Sequence, residues 1–336
     1  MLFFPNIDPN EPRYDITRSY EWNYENAPAL PRQFVVQPSE KKWTLAGQTV
    51  NSPIAIAAGP LLNGRWVLHY ASLGFDVLTY KTVRSKSWPC YPPPNLVPVQ
   101  HGPSGPTAEL YSATSKMEGS WAVSFGMPST SPDLWRFDVE ETRRLLPKQK
   151  RLSVSVVASP ENDWTLDQLA DDYAKCAFWA REAGADFVEL NFSCPNISTQ
   201  CAQLYLDPPS SRVVVDRVRE RIGTTPLLIK IGSVPSKQIG AVVEAMRSAD
   251  ALVMINCVSA RVRDGSEDLF DGASRGIAGA AIRDAVRDQV SAFVEEIRRQ
   301  EAKLEVVAVG GISSVEDVEA YLELGAAGVQ VATSVM

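Results

Sequence analysis

From residue 54 onward the hydrophobic positions fall into short, nearly unbroken runs, each followed by a stretch in which apolar residues recur at helical spacing. The runs are Ile54–Gly59, Val77–Val83, Leu152–Ala158, Phe187–Ser193, Leu227–Gly232, Leu252–Val258, Val306–Gly311 and Gly328–Thr333, eight in all. Runs this short, rich in β-branched residues, predict strands covered on both sides, as parallel sheets are. The stretches between them predict helices, for example over 165–183, 236–248 and 280–300. Three strand approaches share one local pattern: Leu73-Gly74-Phe75-Asp76, Ala183-Gly184-Ala185-Asp186 and Leu324-Gly325-Ala326-Ala327-Gly328. A glycine just past a helix ends it in the left-handed conformation and turns the chain into the next strand. Eight such units predict an α/β fold, a closed (β/α)8 TIM barrel rather than an open doubly wound sheet.

The remainder departs from that rhythm. Residues 1–50, rich in Pro, Asn, Tyr and Trp without sustained helical period, predict an irregular arm. Its end, Phe34–Gln37 with Trp43–Val50, predicts a short hairpin capping something larger. Residues 51–336 then form the barrel domain. After the second strand comes a long insertion, Arg84 to Arg151, rich in Pro, Gly and Ser; a loop of that length inside a compact domain is usually functional. A second, glycine-bearing excursion spans Ser259 to Gly279. Both leave from strand carboxyl ends, so both are expected over the same mouth of the barrel. The sequence stops at Met336, directly after the eighth strand, and the expectation is a barrel lacking its last helix.

Composition narrows the function classes. The 336 residues carry a net charge of −7, which argues against a nucleic-acid partner, since phosphate binding needs a concentrated basic surface. No window approaches the roughly 20 consecutive apolar residues of a membrane helix, and Met1 to Arg13 lacks the basic start and apolar core of a signal peptide. The five cysteines (Cys90, Cys176, Cys194, Cys201, Cys257) form no CxxC pair and no metal-ligand spacing with the two histidines, His69 and His101. No metal site is expected, and a reduced, cytoplasmic setting fits best.

Chemistry-bearing residues gather at the strand ends. The fourth strand runs into Glu189-Leu190-Asn191-Phe192-Ser193-Cys194-Pro195-Asn196. Alternation puts Glu189, Asn191 and Ser193 on one face, with Cys194 and Asn196 on the loop just past the carboxyl end, where barrel enzymes place their chemistry. Most free cysteines are merely small buried hydrophobes, but a core cysteine needs no flanking amides, serine and proline. Lys81 and Lys230 lie within apolar strands, where a lysine is costly unless neutralised. Either an anionic or electron-rich ligand meets each of them, or an internal ion pair does, for example with Glu189. Asn256 likewise ends an apolar strand. Gly310-Gly311-Ile312-Ser313 and Ala332-Thr333-Ser334 end the seventh and eighth strands, and glycine-exposed N–H groups with a helix N-terminus make an anion site there. Ser313 with Glu316 also fits a capping box. Together these residues suit a phosphate-bearing cofactor and a flat, amide-rich substrate.

The segment Glu189 to Asn196 closely resembles the active-site signature of dihydroorotate dehydrogenases, flavin enzymes built on a (β/α)8 barrel. The similarity runs in order from Asn51 to Met336. Asn51–Gly59 resembles the first strand with its flavin contacts Ala58 and Gly59. Lys81-Thr82 resembles the second-strand lysine beside flavin and substrate, and Ser124-Phe125-Gly126-Met127-Pro128 the loop that closes on the substrate. Lys230, Asn256, Gly276-Ile277-Ala278-Gly279, Gly310-Gly311 and Ala332-Thr333 fall where the family contacts FMN or substrate.

The resemblance implies FMN across the mouth, with Ala58, Gly59, Lys81, Thr82, Asn191, Lys230, Asn256, Gly276, Gly279, Gly310, Gly311, Ala332 and Thr333 as its binding residues. It implies Cys194 as the base that removes a proton from C5 of (S)-dihydroorotate while hydride passes from C6 to the flavin, giving orotate for pyrimidine biosynthesis. Lys81 and Ser193 join Cys194 as catalytic residues; Lys81, Asn191, Asn196, Asn256, Gly126, Met127 and Cys257 hold the substrate. A cysteine at position 194 resembles the soluble class. Its thiolate needs a lowered pKa or a nearby cation; Lys81 is the candidate for that field, also pairing with the substrate carboxylate. A homodimer is a family expectation, and without an iron–sulfur or dinucleotide motif a separate electron-acceptor subunit or a soluble oxidant is needed.

Three departures fall on the substrate side. The family usually has asparagine where Val123 stands and serine or threonine where Cys257 stands, and Ala260–Asp264 is unusually basic. Losing a fixed partner for a buried amide costs about 1–3 kcal/mol. Two other readings stand beside the first: Val123 favours a dehydrogenase or reductase of another pyrimidine-like ring, similar to dihydropyrimidine dehydrogenases, and the missing last helix favours an inactive flavin-binding paralogue serving as a partner subunit.

Overall fold

A computed structural model describes residues 4–5, 7–8, 10–35, 42–100, 109–161, 163–193 and 203–336. Eight parallel strands close on themselves: β1 (Ile54–Ile56), β2 (Val77–Val83), β3 (Arg151–Val156), β4 (Phe187–Asn191), β5 (Leu227–Lys230), β6 (Ala251–Met254), β7 (Glu305–Val309) and β8 (Gly328–Val331). Neighbours in sequence are neighbours in the barrel, and β8 returns to β1 with Val329 opposite Ile54. Each predicted strand is present; the second keeps its expected bounds, Val77–Val83, and the other seven end earlier at the carboxyl side, where the backbone leaves the ladder to build the mouth.

The helices are α1 (Gly64–Ser72), α2 (Pro132–Leu145), α3 (Leu166–Glu182), α4 (Pro208–Ile222), α5 (Ile239–Ala245), α6 (Arg283–Arg299) and α7 (Val315–Glu323). Local chemistry sets their starts. Asn63 accepts from the N–H groups of Arg65 and Trp66, Thr165 and Gln168 form a capping box, and Asp207 caps α4, each satisfying N–H groups that the first turn leaves open. The cap of α7 is Ser314, accepting from Asp317 N–H, one residue beyond the capping box expected at Ser313 and Glu316. Gly74, Gly184 and Gly325 have φ of 108°, 97° and 100°, as their helix-ending role requires. None of the helices among the described residues is long and apolar enough to cross a membrane.

Alternation divides the core in two. Outward side chains such as Leu152, Val154 and Val188 pack under the helices, while Ala55, Val77, Phe187, Leu228, Val253 and Val307 fill the barrel. The amino-terminal end is plugged by a hairpin, but not the one expected. Trp43–Leu45 pairs with Gln48–Val50 around an Ala46-Gly47 turn. Phe34 and Val35 form no strand; Val36 and Gln37 lie outside the described residues. Leu45, Ala46 and Val50 join the barrel interior, and Ala46 N–H donates to Glu305 at 2.7 Å. The arm also contains a short helix, Tyr20–Glu25, capped by Ser19.

The insertion after β2 is not a plain loop. It holds α2, whose Trp135, Val139 and Thr142 are buried, and three short strands, Leu96–Pro98, Leu110–Ser112 and Ser120–Val123. The excursion after β6 contributes Val258–Asp264, Glu267–Asp268 and Arg275–Gly279. These six strands from two distant insertions make one mainly antiparallel sheet over the mouth, with Val123 opposite both Leu96 and Gly276. After β8 the chain makes a single 3-10 turn, Thr333–Val335, whose Val335 carbonyl accepts from Tyr70.

Candidate active site

Between the carboxyl ends of the barrel and this roof lies a cleft of about 880 Å³, part of it open to solvent. Its floor carries Lys81 and Thr82 from the end of β2, Asn191 at the end of β4 and Ser193 just past it, Lys230 from β5 and Asn256 after β6; Ala58, Gly59, Ala332 and Thr333 border it. The roof shows the cleft Leu96, Trp121, Val123, Gly276 and Ala278. These are alternate positions on paired strands, so one sheet face points down. The result is a polar floor under an apolar roof, a shape that suits a planar ring with polar edges.

The floor is held by its own hydrogen bonds. Asn191 Nδ2 lies 3.4 Å from Thr82 Oγ1 and 3.4 Å from Met127 Sδ, and its Oδ1 accepts from Ser193 N–H at 3.2 Å. Asn256 Nδ2 donates to the Ser193 carbonyl at 2.6 Å. The last described residue before Cys194 is thus fixed from two strands. Lys81 Nζ lies 5.2 Å from the Phe125 ring centroid, a cation–π distance. Lys230 and Glu189 are not directly paired: Lys230 Nζ donates to Gln330 Oε1 at 3.0 Å and Gln330 Nε2 donates to Glu189 Oε2 at 2.8 Å.

The closing loop is anchored on both sides. Ser124 N–H donates to Asn95, Asn95 Nδ2 returns to the Ser124 carbonyl, and Arg275 Nε donates to Ser124 Oγ at 2.8 Å. Gly126 (φ 73°) and Met127 (φ 54°) both take left-handed backbone and line the cleft. Tyr14 and Tyr20 of the arm pack edge-on against Phe125 at 5.7 and 5.8 Å, which gives the arm a place: it backs the closing loop. Cys90 sits in the same neighbourhood, and burial pushes its thiol up to about 12 although Lys81 pulls the other way. Cys90 therefore stays protonated near neutrality.

At one end the cleft continues, past Asn256, Ala278, Val309, Ala332 and Thr333, into a second space of about 500 Å³ walled by Gly279, Gly310, Gly311, Ser313 and Ser334. Gly279 (φ 93°) admits no side chain: a Cβ there would lie 2.1 Å from the Gly119 carbonyl oxygen. Arg283, the first residue of α6, also lines this space. A cation at a helix N-terminus opposes the helix dipole, and that local conflict is the sequence signal by which Arg283 could have been found. The roof residues Leu96 and Trp121, and Gln330 on the wall of the second space, were missed as well; nothing local marks them.

Of the residues expected from the sequence, Ala58, Gly59, Lys81, Thr82, Gly126, Met127, Asn191, Ser193, Lys230, Asn256, Cys257, Gly276, Ala332 and Thr333 line the cleft, and Gly279, Gly310 and Gly311 the second space. Cys194 and Asn196 lie outside the described residues.

A (β/α)8 barrel with a cleft and a glycine-walled pocket at the carboxyl ends of its strands has the architecture of barrel enzymes, which place their chemistry at that face. Comparison with known proteins makes this specific. The family model "Dihydroorotate dehydrogenase" matches residues 119–336. The chain is 32% identical to a dihydroorotate dehydrogenase of Dictyostelium discoideum over 97% of this chain and 94% of that one. It is 24% identical to the catalytic subunit of a dihydroorotate dehydrogenase B (NAD(+)) of Lachnoclostridium phytofermentans, covering 87% of each. The crystal structure of the Eimeria tenella enzyme DHODH with ferulenol superposes with a TM-score of 0.74 at 17% identity, over 94% of this chain and 84% of that chain, and shows the same fold. The chain belongs to the dihydroorotate dehydrogenase family. It is an oxidoreductase acting on CH–CH bonds.

Proposed function

We propose that the protein is an FMN-dependent dihydroorotate dehydrogenase that oxidises (S)-dihydroorotate to orotate. The observation that carries the reading is convergence: amides, cations and a left-handed closing loop from five separate segments meet in one cleft that opens into a glycine-walled pocket.

The residues fit FMN on structural grounds. The Trp121 indole N–H and the Ser334 hydroxyl are buried, line the two spaces, and meet no hydrogen-bond partner among the described residues. Buried donors of this kind need an acceptor. Gly279, Gly310 and Gly311 leave room where side chains would close the second space. Gly279, Gly310, Gly311, Thr333 and Ser334 would hold the phosphate end, and Ala58, Gly59, Thr82, Lys230 and Gly276 the ring end. When bound, FMN supplies the two-electron oxidising capacity.

The chain's own residues do the rest. Lys81 pairs with the substrate carboxylate, and Asn191, Asn196 and Asn256 hold the ring amides, with Gly126, Met127 and Cys257 closing around them. Cys194 accepts the proton from C5, aided by Ser193 and by the field of Lys81. Cys90, held protonated by burial, does not compete for that role. Reoxidation calls for a separate acceptor, and the relative named a catalytic subunit supports a partner protein in that role. A cytoplasmic setting accords with the free thiols.

One observation favours a second reading. Val123 and Cys257 line the substrate side of the cleft, and among the described residues the roof beside them (Leu96, Trp121, Gly276, Ala278) offers a ring amide no side-chain acceptor. A related cyclic acid with fewer polar edges fits that wall better. Orotate formation from dihydroorotate with a dye acceptor tests the first reading, and Cys194→Ala is expected to abolish it while retaining flavin. Unchanged turnover in that variant would remove Cys194 from the mechanism.

A further inference from the structure

Under the cleft three side chains from β4, β5 and β8 form a chain. Glu189, Lys230 and Gln330 are 0%, 4% and 2% exposed. Gln330 has only one workable orientation. A carboxylate accepts and an ammonium donates, so the amide must turn its NH2 to Glu189 and its oxygen to Lys230, as the 2.8 and 3.0 Å contacts have it. The Lys230 ammonium has three donors, and Gln330 is its one hydrogen-bond acceptor among the described residues. The remaining N–H groups belong to a residue that lines the cleft. At the far end, Glu189 Oε1 has no partner among the described residues, so the Gln330 amide is the described anchor of that carboxylate.

A nearly buried cation beside a cleft acts strongly on whatever lies there, because the surroundings screen it poorly. A carboxylate two hydrogen bonds away offsets part of that field. We propose that Glu189 is a positioning residue for the cofactor: through Gln330 it fixes Lys230 at the cleft, and its charge limits the field Lys230 exerts, so that the Glu189–Gln330–Lys230 chain sets the reduction potential of the bound flavin. This rests on the FMN reading above. Reduction adds electron density to the ring, so a stronger positive field raises the potential and a weaker one lowers it.

The two links are separable. Glu189→Gln keeps an acceptor for Gln330 and removes the negative charge; the potential rises. Gln330→Met leaves both charges and breaks the tether; the ammonium is drawn toward Glu189 and the potential falls. The measurement is the two-electron midpoint potential of flavin-loaded wild type and both variants. The expected shift is about tenfold in the equilibrium constant, or ~30 mV, in opposite directions. Unmoved potentials, shifts of the same sign, or flavin loss from both variants with the fold intact would overturn the proposal and leave a purely structural chain. Wild-type protein that takes up no flavin would overturn the cofactor reading along with it.

Discussion

Arg84 holds Met127. The guanidinium, 1% exposed, donates from Nε to the Met127 carbonyl at 2.9 Å and from NH1 to the Ala158 carbonyl at 2.7 Å. One side chain at the end of β2 thereby ties the end of β3 to the loop that covers the cleft. Met127 keeps a left-handed backbone (φ 54°) that a non-glycine residue adopts only where its surroundings impose it.

Replacing the fork with a point charge should release that loop. In Arg84→Lys one donor group must serve both carbonyls, and losing a charged hydrogen bond costs about 1.5–3 kcal/mol. We expect a stability loss of that order in denaturant titration. KM should rise while flavin content is retained. An unchanged KM would mean that the loop is set by Asn95 and Arg275 alone.

Gly279→Ala should cost the cofactor. A Cβ would lie 2.1 Å from the Gly119 carbonyl oxygen at a φ of 93°, so the roof strand and the glycine-walled pocket must move apart. The expected outcome is protein with native far-UV circular dichroism and at least tenfold less bound flavin. Full flavin occupancy would place the phosphate elsewhere.

The barrel was legible in the sequence because parallel strands buried on both faces read as continuous apolar runs, and the glycines at 74, 184 and 325 marked the helix ends. The roof was not. Val123 and Gly276 are paired across more than 150 residues, and nothing near either residue announces the other. Helix α2 was hidden because its buried set, Trp135, Val139 and Thr142, is sparse within a strongly polar stretch that opens with proline. At the site, residues with a local signature (Lys81, Asn191, Gly279, Gly310) lie on the cleft or on the space beside it. Gln330 and Trp121 gain their meaning only from partners, or missing partners, on other strands.

Val123 reports on the substrate. It lines the cleft on the roof strand, directly opposite Gly276. If the substrate is dihydroorotate, Val123→Asn supplies a partner for a ring amide, worth about 1–3 kcal/mol. KM for dihydroorotate should then fall by roughly 5- to 140-fold, given tenfold per 1.4 kcal/mol. A rise in KM would favour a substrate with an apolar edge at that position.

His69 sets an acid limit on how firmly the arm is held. Its Nε2 lies 3.2 Å from the Pro12 carbonyl, and burial lowers its pKa below the ordinary 6.5 although Glu11 opposes this. A lowered folded value means that the unfolded chain binds the proton first. The contribution of His69 is therefore fully present above pH 6.5 and is lost as pH falls through the folded value. Melting temperature should drop between pH 7 and pH 5, and His69→Gln should remove that part of the dependence. An identical pH profile in the variant would acquit His69.

The most direct measurement is the visible absorption spectrum of the purified protein, before and after anaerobic addition of dihydroorotate. A flavin spectrum that bleaches is expected, and it would report cofactor, substrate and the reductive half-reaction together. A flavin spectrum that stays oxidised would contradict the substrate assignment and point to the wall at Val123 and Cys257. A colourless protein that cannot be reconstituted with FMN would contradict the central claim itself.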